Sequence, residues 1–422
     1  MRIRYLQHSL MIMLSFSAFT LPVIASERLQ QSDTVTLATV TQSVYDIHPS
    51  QRELTARAQQ VKANSDLANS FFAGASTLSV NHNNDVIGSD NGYQEWEGGV
   101  ELPLWLPGQK QQQQALVDNL TSETDYHQQK IKLEASAIVR EVIWNIILAD
   151  TGVSHAGQVW NNALKLQHDV DLRVKAGELA STELLLADTN GFELHSQYLD
   201  AEAKLDLALA RYKQITGQTF IPAVYEEKLA DQVESAVANS SEPTVTQQHP
   251  LLRAFEQQII ILRTKQNLAR FDSSVNPSVS VGMRSERGAH GEDFENSLGL
   301  GINIALGNDV YSQPAVADAG RALADIEVNR QTLERQLNLT LLTEYHKLSA
   351  MQKQYELLSE QNLTTQKYLG LQQRAFDLGE LDLASLLRSQ ALADKTQNRK
   401  QVLTIEIKRQ VAIINQSLGV VL

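Results

Sequence analysis

The sequence contains two copies of one pattern, about 202 residues apart. His48-Pro49 returns as His249-Pro250 at an offset of 201, and Gly217 returns as Gly419 at an offset of 202. Two longer segments also return at 202: Val100, Leu102 and Leu104 as Ile302, Ile304 and Leu306, and Gly177-Glu178-Leu179 with Leu184-Leu185 as Gly379-Glu380-Leu381 with Leu386-Leu387. This period is too long for a solenoid repeat, so it predicts two copies of one elongated supersecondary unit.

The N-terminus has the pattern of a secretory signal peptide. Arg2 and Arg4 give a charged start, Leu10 to Phe19 is apolar, and Val23-Ile24-Ala25 forms a cleavage site. No other stretch reaches the roughly 20 apolar residues of a membrane helix. We therefore predict an exported protein without a helical anchor. Its predicted parts are a signal peptide (1–25), a first repeat (26–222), a linker or equatorial segment (223–246) and a second repeat (247–422).

Composition limits the possible partners. The chain has no cysteine, so burial or oligomerisation must hold it together. Without Arg2 and Arg4, the 36 basic residues fall to 34 against 49 acidic ones, a net charge near −15. Because nucleic-acid binding requires a basic surface, nucleic acid is not an expected partner.

Two proline-free stretches predict long helices. They lie between Pro107 and Pro222 and after Pro314, and each carries a narrow apolar stripe at helical spacing, typical of a helix that packs against other helices. The stripes are Ile131, Ala135, Ile138, Val142, Ile146 and Ala149, and then Leu323, Ile326, Arg330, Leu333, Leu337, Leu341, Tyr345 and Leu348. A continuous helix from Gln109 to about Ala176 would be roughly 100 Å long.

Each long helix is predicted to end in a reversal. Gly177 and Gly379 are placed where a helix ends in a left-handed turn. Ser181 and Asp382 then follow as N-caps of a returning helix. The expected hairpin tips are residues 175–182 and 377–384. An ordinary connecting loop is the alternative, but the recurrence of Gly-Glu-Leu at both tips favours a functional role.

Ahead of each long helix, aliphatic residues alternate with small polar ones. The aliphatic positions are Leu78, Val80, Val100, Leu102 and Leu104 in the first copy and Val279, Val281, Met283, Leu298, Leu300, Ile302, Ile304 and Leu306 in the second. Alternation over nine residues, as in Leu298 to Leu306, is typical of a membrane-spanning barrel strand. A half-buried hairpin in a soluble domain is the alternative. The strands are expected at about 74–105 and 276–306.

Four strands cannot close a barrel, and lipid does not tolerate open strand edges. If these strands span a membrane, several copies of the chain must therefore contribute to one barrel. The open strand edges alone therefore predict an oligomer.

No catalytic or metal-binding pattern is found. The histidines after the signal peptide are isolated, and only Met283 and Met351 remain as thioethers. Acidic pairs such as Glu226-Glu227 lie on segments that resemble surface. We expect no enzyme activity, no cofactor and no resident metal.

The charged residues of interest lie at the two tips. Glu178, Glu183, Glu380, Asp382 and Arg388 fall within one or two turns of the reversals. In an oligomer each would form a ring, and rings of acidic residues set cation preference in pores. The alternative is that acids such as Glu183 simply favour the dipole of the returning helix.

The chain resembles the TolC-like outer-membrane efflux proteins over essentially its whole mature length. The resemblance rests on the duplication, on Ala176-Gly177-Glu178-Leu179 and Leu378-Gly379-Glu380-Leu381, and on the strand-to-helix corner from Val100 to Lys110. That corner, together with Asn276-Pro277, is most similar to the heavy-metal efflux branch.

The resemblance implies a mainly α fold with two strand pairs. Three copies would form a 12-stranded outer-membrane β-barrel and a periplasmic α-helical barrel. The implied partners are a periplasmic adaptor, an inner-membrane pump of the resistance-nodulation-division type and outer-membrane lipid. The adaptor would dock on Gly177, Glu178, Leu179, Gly379, Glu380 and Leu381.

The family often narrows its entrance with acidic residues after the second tip. Here that stretch reads Ser385-Leu386-Leu387-Arg388, which departs from the pattern, so Glu183 or Asp382 would have to substitute. The expected function is a passive exit duct for heavy-metal cations. The alternatives are a drug-efflux or protein-secretion duct of the same fold and a periplasmic coiled-coil scaffold without a pore.

Overall fold

The computed structural model describes residues 30–238, 241–271, 276–304, 306 and 309–422. The predicted signal peptide lies outside the described residues. Among those described, the chain is mainly helical, as predicted, and it has one four-stranded and one two-stranded sheet.

The first copy contains one very long helix. It runs β1 (Gln31–Ser32), α1 (Leu37–Asp46), α2 (Gln51–Asn69), β2 (Thr77–Asn84), β3 (Gln94–Pro103), α3 (Gln109–Lys175), α4 (Ser181–Thr216) and β4 (Ile221–Pro222). The 67 residues of α3 confirm the predicted continuous helix.

The second copy repeats this order. After α5 (Asp231–Ala238) come α6 (Pro250–Ala269), β5 (Ser278–Arg287), β6 (Glu295–Asn303), a short 3-10 turn (Asp309–Tyr311), α7 (Gln313–Asp377) and α8 (Leu383–Ser417). The helix α6 corresponds to α2, α7 to α3, and α8 to α4.

The four long strands form one antiparallel sheet in the order β2-β3-β5-β6. Glu101 pairs with Thr77 on one side and with Ser280 on the other, so the two copies meet at the β3–β5 contact. Among the described residues, no further strand pairs with the outer edge of β2 or of β6. The separate pair β1 and β4 is parallel.

Four helices lie side by side along most of the helical layer. Near the sheet the order is α2-α3-α6-α7, and towards the tips it is α4-α3-α8-α7. The two flanks of the chain are therefore β2, α2 and α4 on one side and β6 and α7 on the other.

Two apolar clusters hold the middle of the molecule. One joins α1, α3, α4 and α8 around Val139, Trp144 and Tyr212, and the other joins α5–α8 around Leu252, Leu341 and Ile414. The predicted stripes supply many of these residues, including Val142, Ile146, Leu341 and Leu348, because their helical spacing places them on one buried face.

A buried ion pair between Arg140 and Glu227 fixes the linker. The Arg140 guanidinium donates to both Glu227 carboxylate oxygens at 2.8 and 2.7 Å, and the two side chains are 5% and 10% exposed. Asn415 also donates to Glu227 at 3.0 Å. The expectation that Glu227 lies on the surface is wrong, because its partner is 87 residues away in sequence and invisible to local pattern.

Candidate functional site

The two hairpin tips have the same backbone geometry. Gly177 and Gly379 have φ of 77° and 75°, as predicted for a left-handed turn. At the first tip, Gly177 N donates to Val174 O at 3.0 Å and Glu178 N donates to Arg173 O at 2.9 Å. Gly379 and Glu380 make the same two bonds at the second tip, at 3.0 and 2.9 Å. Both helices thus end in a Schellman motif.

The returning helices begin differently. Asp382 caps α8, accepting from Ser385 N at 2.8 Å, as predicted. The hydrogen bond from that amide lowers the pKa of the Asp382 carboxyl, with further help from the Ser385 hydroxyl. The predicted cap at Ser181 is wrong: α4 begins at Ser181, and Ala180 holds the N-cap position without a side-chain bond. Ala180 is the residue that the duplication places opposite Asp382.

The two tips of one chain pack on each other. Val170 and Ala187 of the first hairpin share a buried cluster with Phe376, Leu383 and Leu386 of the second. Leu179 and Leu381, both predicted docking residues, lie at its border. The two turns, which recur at a constant offset in the sequence, therefore lie side by side in the structure.

Arg173 joins the two tips at their end. Its guanidinium lies 4.9 Å from the Phe376 ring centroid, and Nη1 donates to the Phe376 carbonyl at 3.3 Å. Its Nε lies 3.3 Å from the Glu178 carboxylate. Arg173 is not among the residues predicted from the sequence, although a basic side chain in the last turn of α3 is a visible signal.

Three of the four predicted entrance residues form one cluster on α8. The Ser385 hydroxyl donates to Asp382 at 2.9 Å, and Arg388 donates to the Ser385 hydroxyl at 2.8 Å. Glu183 lies apart, in the first turn of α4, at the position matching Ser385. Glu178 is exposed at its tip, and Glu380 occupies the matching place at the other tip. Arg388 thus offsets part of the charge of Asp382.

The sheet has one apolar face. Strand register aligns Leu78, Val100, Val281 and Leu300 in one row across all four strands. The neighbouring rows hold Val80, Met283 and Leu298 on one side and Leu102, Val279 and Ile302 on the other. In the single chain Leu300 is 76% exposed. Most of this apolar face is exposed in the described part of the chain, and a continuous exposed face of this kind marks a surface that another apolar medium covers.

The opposite face is polar and acidic. Its glutamates are Glu95, Glu97, Glu101, Glu286 and Glu295, and its single basic residue is Arg284. Arg284 Nε lies 2.9 Å from the Glu95 carboxylate. A row of small residues, Ser79, Gly99, Gly282 and Gly299, crosses the middle of this face. The alternation predicted from sequence is thus present on all four strands.

The described part of the chain lacks two features. No helix there is long and apolar enough to cross a membrane. No group of three or more histidine, aspartate or glutamate side chains there could hold a metal ion.

No protein-family model matches the chain, and no curated protein sequence is significantly similar. Solved structures do match. CusC, whose structures describe transmembrane channel formation, has a TM-score of 0.69 at 14% identity, over 99% of this chain and 98% of that one.

Two further matches are outer membrane channels. CmeC from Campylobacter jejuni has a TM-score of 0.66 at 14% identity, over 91% of this chain and 85% of that one. The open state of MtrE from Neisseria gonorrhoeae has a TM-score of 0.64 at 13% identity. The match covers 91% of this chain and 88% of that one. The chain therefore has the fold of outer-membrane channel protomers, and the resemblance to TolC-like proteins is confirmed at the level of fold.

Proposed function

We propose that this protein is the outer-membrane exit duct of a tripartite efflux system. Three copies form a 12-stranded barrel in the outer membrane and a helical barrel in the periplasm. The duct passively conducts cations, heavy-metal ions among them, that an inner-membrane pump of the resistance-nodulation-division type expels through a periplasmic adaptor. The observation that carries this proposal is the two-faced sheet with open edges.

The sheet supports a membrane-spanning barrel built from several chains. Its apolar face would meet lipid, and its acidic face would line a water-filled lumen. The edge strands β2 and β6 have unpaired backbone groups, which cannot remain open in lipid. Pairing β2 of one copy with β6 of the next removes both edges. Three copies give twelve strands, the number that the family resemblance implies.

The helices support a duct that extends away from the membrane. The 67 residues of α3 make a rod of about 100 Å. It starts six residues after β3 ends, so the sheet and the helical layer form one continuous wall. A scaffold without a pore would have no use for the apolar sheet.

The charge distribution supports cations as cargo. The polar face carries five glutamates and one arginine, so a barrel of three copies would have about fifteen carboxylates against three guanidinium groups in its lumen. Glu178 and Glu183 add acidic positions at the tips. The specific proposal of heavy-metal ions rests in addition on the sequence of the Val100–Lys110 corner.

The tips are the proposed docking surface for the adaptor. Gly177, Glu178, Leu179, Gly379, Glu380 and Leu381 lie at the end of the molecule farthest from the sheet. The Schellman turns present the two Glu-Leu pairs in matching conformations. An adaptor that contacts both tips of every copy would meet six similar sites.

Two experiments test the proposal. Purified protein is first added to planar bilayers, and membranes of the native cells are fractionated. Stable conductance with outer-membrane fractionation is expected; a soluble protein without conductance would favour the scaffold.

Growth of a deletion strain then identifies the cargo. Sensitivity to zinc, cobalt, cadmium, copper or silver salts is expected. Sensitivity confined to dyes, detergents and antibiotics would instead make the protein a drug-efflux duct.

A further inference from the structure

The apolar face of the sheet ends in two rows that are no longer aliphatic. They lie at the hairpin end of the strands, farthest from the long helices, and they continue the alternation of Val100 and Val281. The first row contains His82, Trp96, Ser285 and Asn296, and the second contains Asn84, Gln94 and Arg287. Arg287 therefore lies on the apolar side of the sheet, whereas Arg284 lies on the acidic side.

Trp96 and His82 form a stacked pair in the first of these rows. Their ring centroids are 4.0 Å apart and their planes differ by 24°. His82 Nδ1 donates to the Glu95 carbonyl at 3.0 Å, because a carbonyl oxygen can only accept, and His82 Nε2 accepts from the Asn84 amide at 3.2 Å. The Trp96 side chain is still 50% exposed. A tryptophan held in this way on a barrel surface is typical of the membrane–water interface.

The distance from Trp96 to the other end of the apolar face fits a lipid bilayer. Leu104, on the same face, lies eight residues further along the chain, which is about 27 Å of strand and about 20 Å along the membrane normal at a tilt of about 40°. Just beyond it, the Trp105 indole donates to the Ser70 carbonyl at 3.3 Å. The apolar band thus has a tryptophan at each end, and Arg287 lies one row beyond the one farther from the helices.

Arg287 has an aromatic partner but no carboxylate partner among the described residues. Its guanidinium carbon lies 5.3 Å from the centroid of the Phe294 ring, and its buried Nε makes no hydrogen bond with the described chain. The Glu292 carboxylate in the adjoining loop accepts from the Gly288 and Ala289 amides instead, each at 3.0 Å. A guanidinium stays charged at any physiological pH, and an unpaired charge beside lipid is costly. Arg287 therefore favours an anion from outside the chain.

We propose that Arg287 binds a phosphate group of lipid A, the phosphorylated glycolipid of the outer leaflet, together with Gln94 and the Trp96–His82 pair. The proposal rests on the duct function proposed above, which places this end of the sheet at the outer surface of the cell. The planar guanidinium presents two parallel N–H donors that match a phosphate. Gln94 is paired with Arg287 across the strands, so its amide offers a further donor on the same face. The exposed Trp96 ring lies one row closer to the acyl chains.

Lipid binding by the unmodified full-length protein is the first test. Oligomers purified in detergent and stripped of lipid are mixed with diphosphoryl lipid A, with lipid A from which both phosphates have been removed, with phosphatidylglycerol, or with inorganic phosphate. We expect native mass spectrometry to retain diphosphoryl lipid A, up to three molecules for three copies, and the thermal midpoint to rise with that lipid alone. Equal retention of dephosphorylated lipid A or phosphatidylglycerol would overturn the proposal, and so would saturation by inorganic phosphate.

Substitutions on the two faces of one strand are the second test. Arg287→Gln should weaken the binding of diphosphoryl lipid A roughly 10- to 100-fold, the value of a charge-assisted hydrogen bond or two. Arg287→Lys should lose less, because it keeps the charge but not the fork. Arg284→Gln is the matched control, since it removes the same charge from the same strand on the acidic face. It should bind lipid A like the unmodified protein.

Two results of the substitutions would refute the assignment of Arg287. They are unchanged affinity in Arg287→Gln, and an equal loss in Arg284→Gln. Conductance in planar bilayers, measured on the same preparations, separates this proposal from the duct function. Normal conductance without selective lipid A binding would overturn the lipid site alone. A preparation of unmodified protein that forms neither oligomers nor conducting pores would overturn the duct function, and the lipid site with it.

Discussion

Substitution of the tip glycines tests the proposed docking of the adaptor. At these positions the backbone strain caused by a side chain can be separated from steric contact with other atoms. Gly177 and Gly379 have φ of 77° and 75°, and a Cβ added to either would meet no atom within 4 Å. A valine there would therefore cause backbone strain only. That strain is about 1–3 kcal/mol at each tip. If docking requires the Schellman turn, a strain of about 1–3 kcal/mol lowers the docked population roughly 5- to 150-fold.

Gly217 provides the control. Its φ is 69°, and its added Cβ would also meet no atom within 4 Å, but it ends α4 near the middle of the molecule. We expect Gly177→Val and Gly379→Val to abolish efflux in a growth-inhibition assay, with normal trimer levels on immunoblots. Gly217→Val should retain efflux at similar strain. Normal efflux in both tip variants, or equal loss in Gly217→Val, would refute the reasoning.

Three further results are expected. Arg140→Met should destabilise the protein by about 3–5 kcal/mol because it leaves the Glu227 carboxylate buried and unpaired; the thermal midpoint in detergent should recover when Glu227→Leu is added, and a further drop would contradict this. Glu178→Gln and Glu183→Gln should lower cation preference, measured as the reversal potential under a salt gradient; an unchanged potential would count against charged rings at the tips. Burial lowers the pKa of His249 from 6.5 to about 4, so the unfolded chain binds the proton first and about 3 kcal/mol of stability per copy should be lost as pH falls from 6.5 to 4. His249→Asn, which retains a capping acceptor, should flatten that thermal-midpoint profile, and an unaltered slope would assign it to other groups.

Much of the fold could be predicted because its signals are local. The turn at Gly177 depends on one residue that tolerates positive φ, and the strand faces depend on alternation along β3 and β6. The long helix α3 follows from apolar spacing and the absence of proline. Because the pattern recurs at one offset, each local signal appears in both copies and supports the same prediction.

The candidate site was predicted only in part, for the same reason. Asp382 was identifiable as a cap because its partner, Ser385, lies three residues away. Ser181 was misassigned by one residue, since capping depends on where the backbone enters the helix. Arg173 was missed because its partner Phe376 lies 203 residues away in sequence.

The sequence by itself determined the duplication, the tips, the long helices and the two-faced strands, since each depends on neighbours within a few turns or a few strand residues. Tertiary structure decided which of these elements touch. It placed the two tips in one cluster and gave Glu227 a buried partner in Arg140. Those outcomes depend on contacts between residues far apart in the chain, which only the packing of the helices brings together.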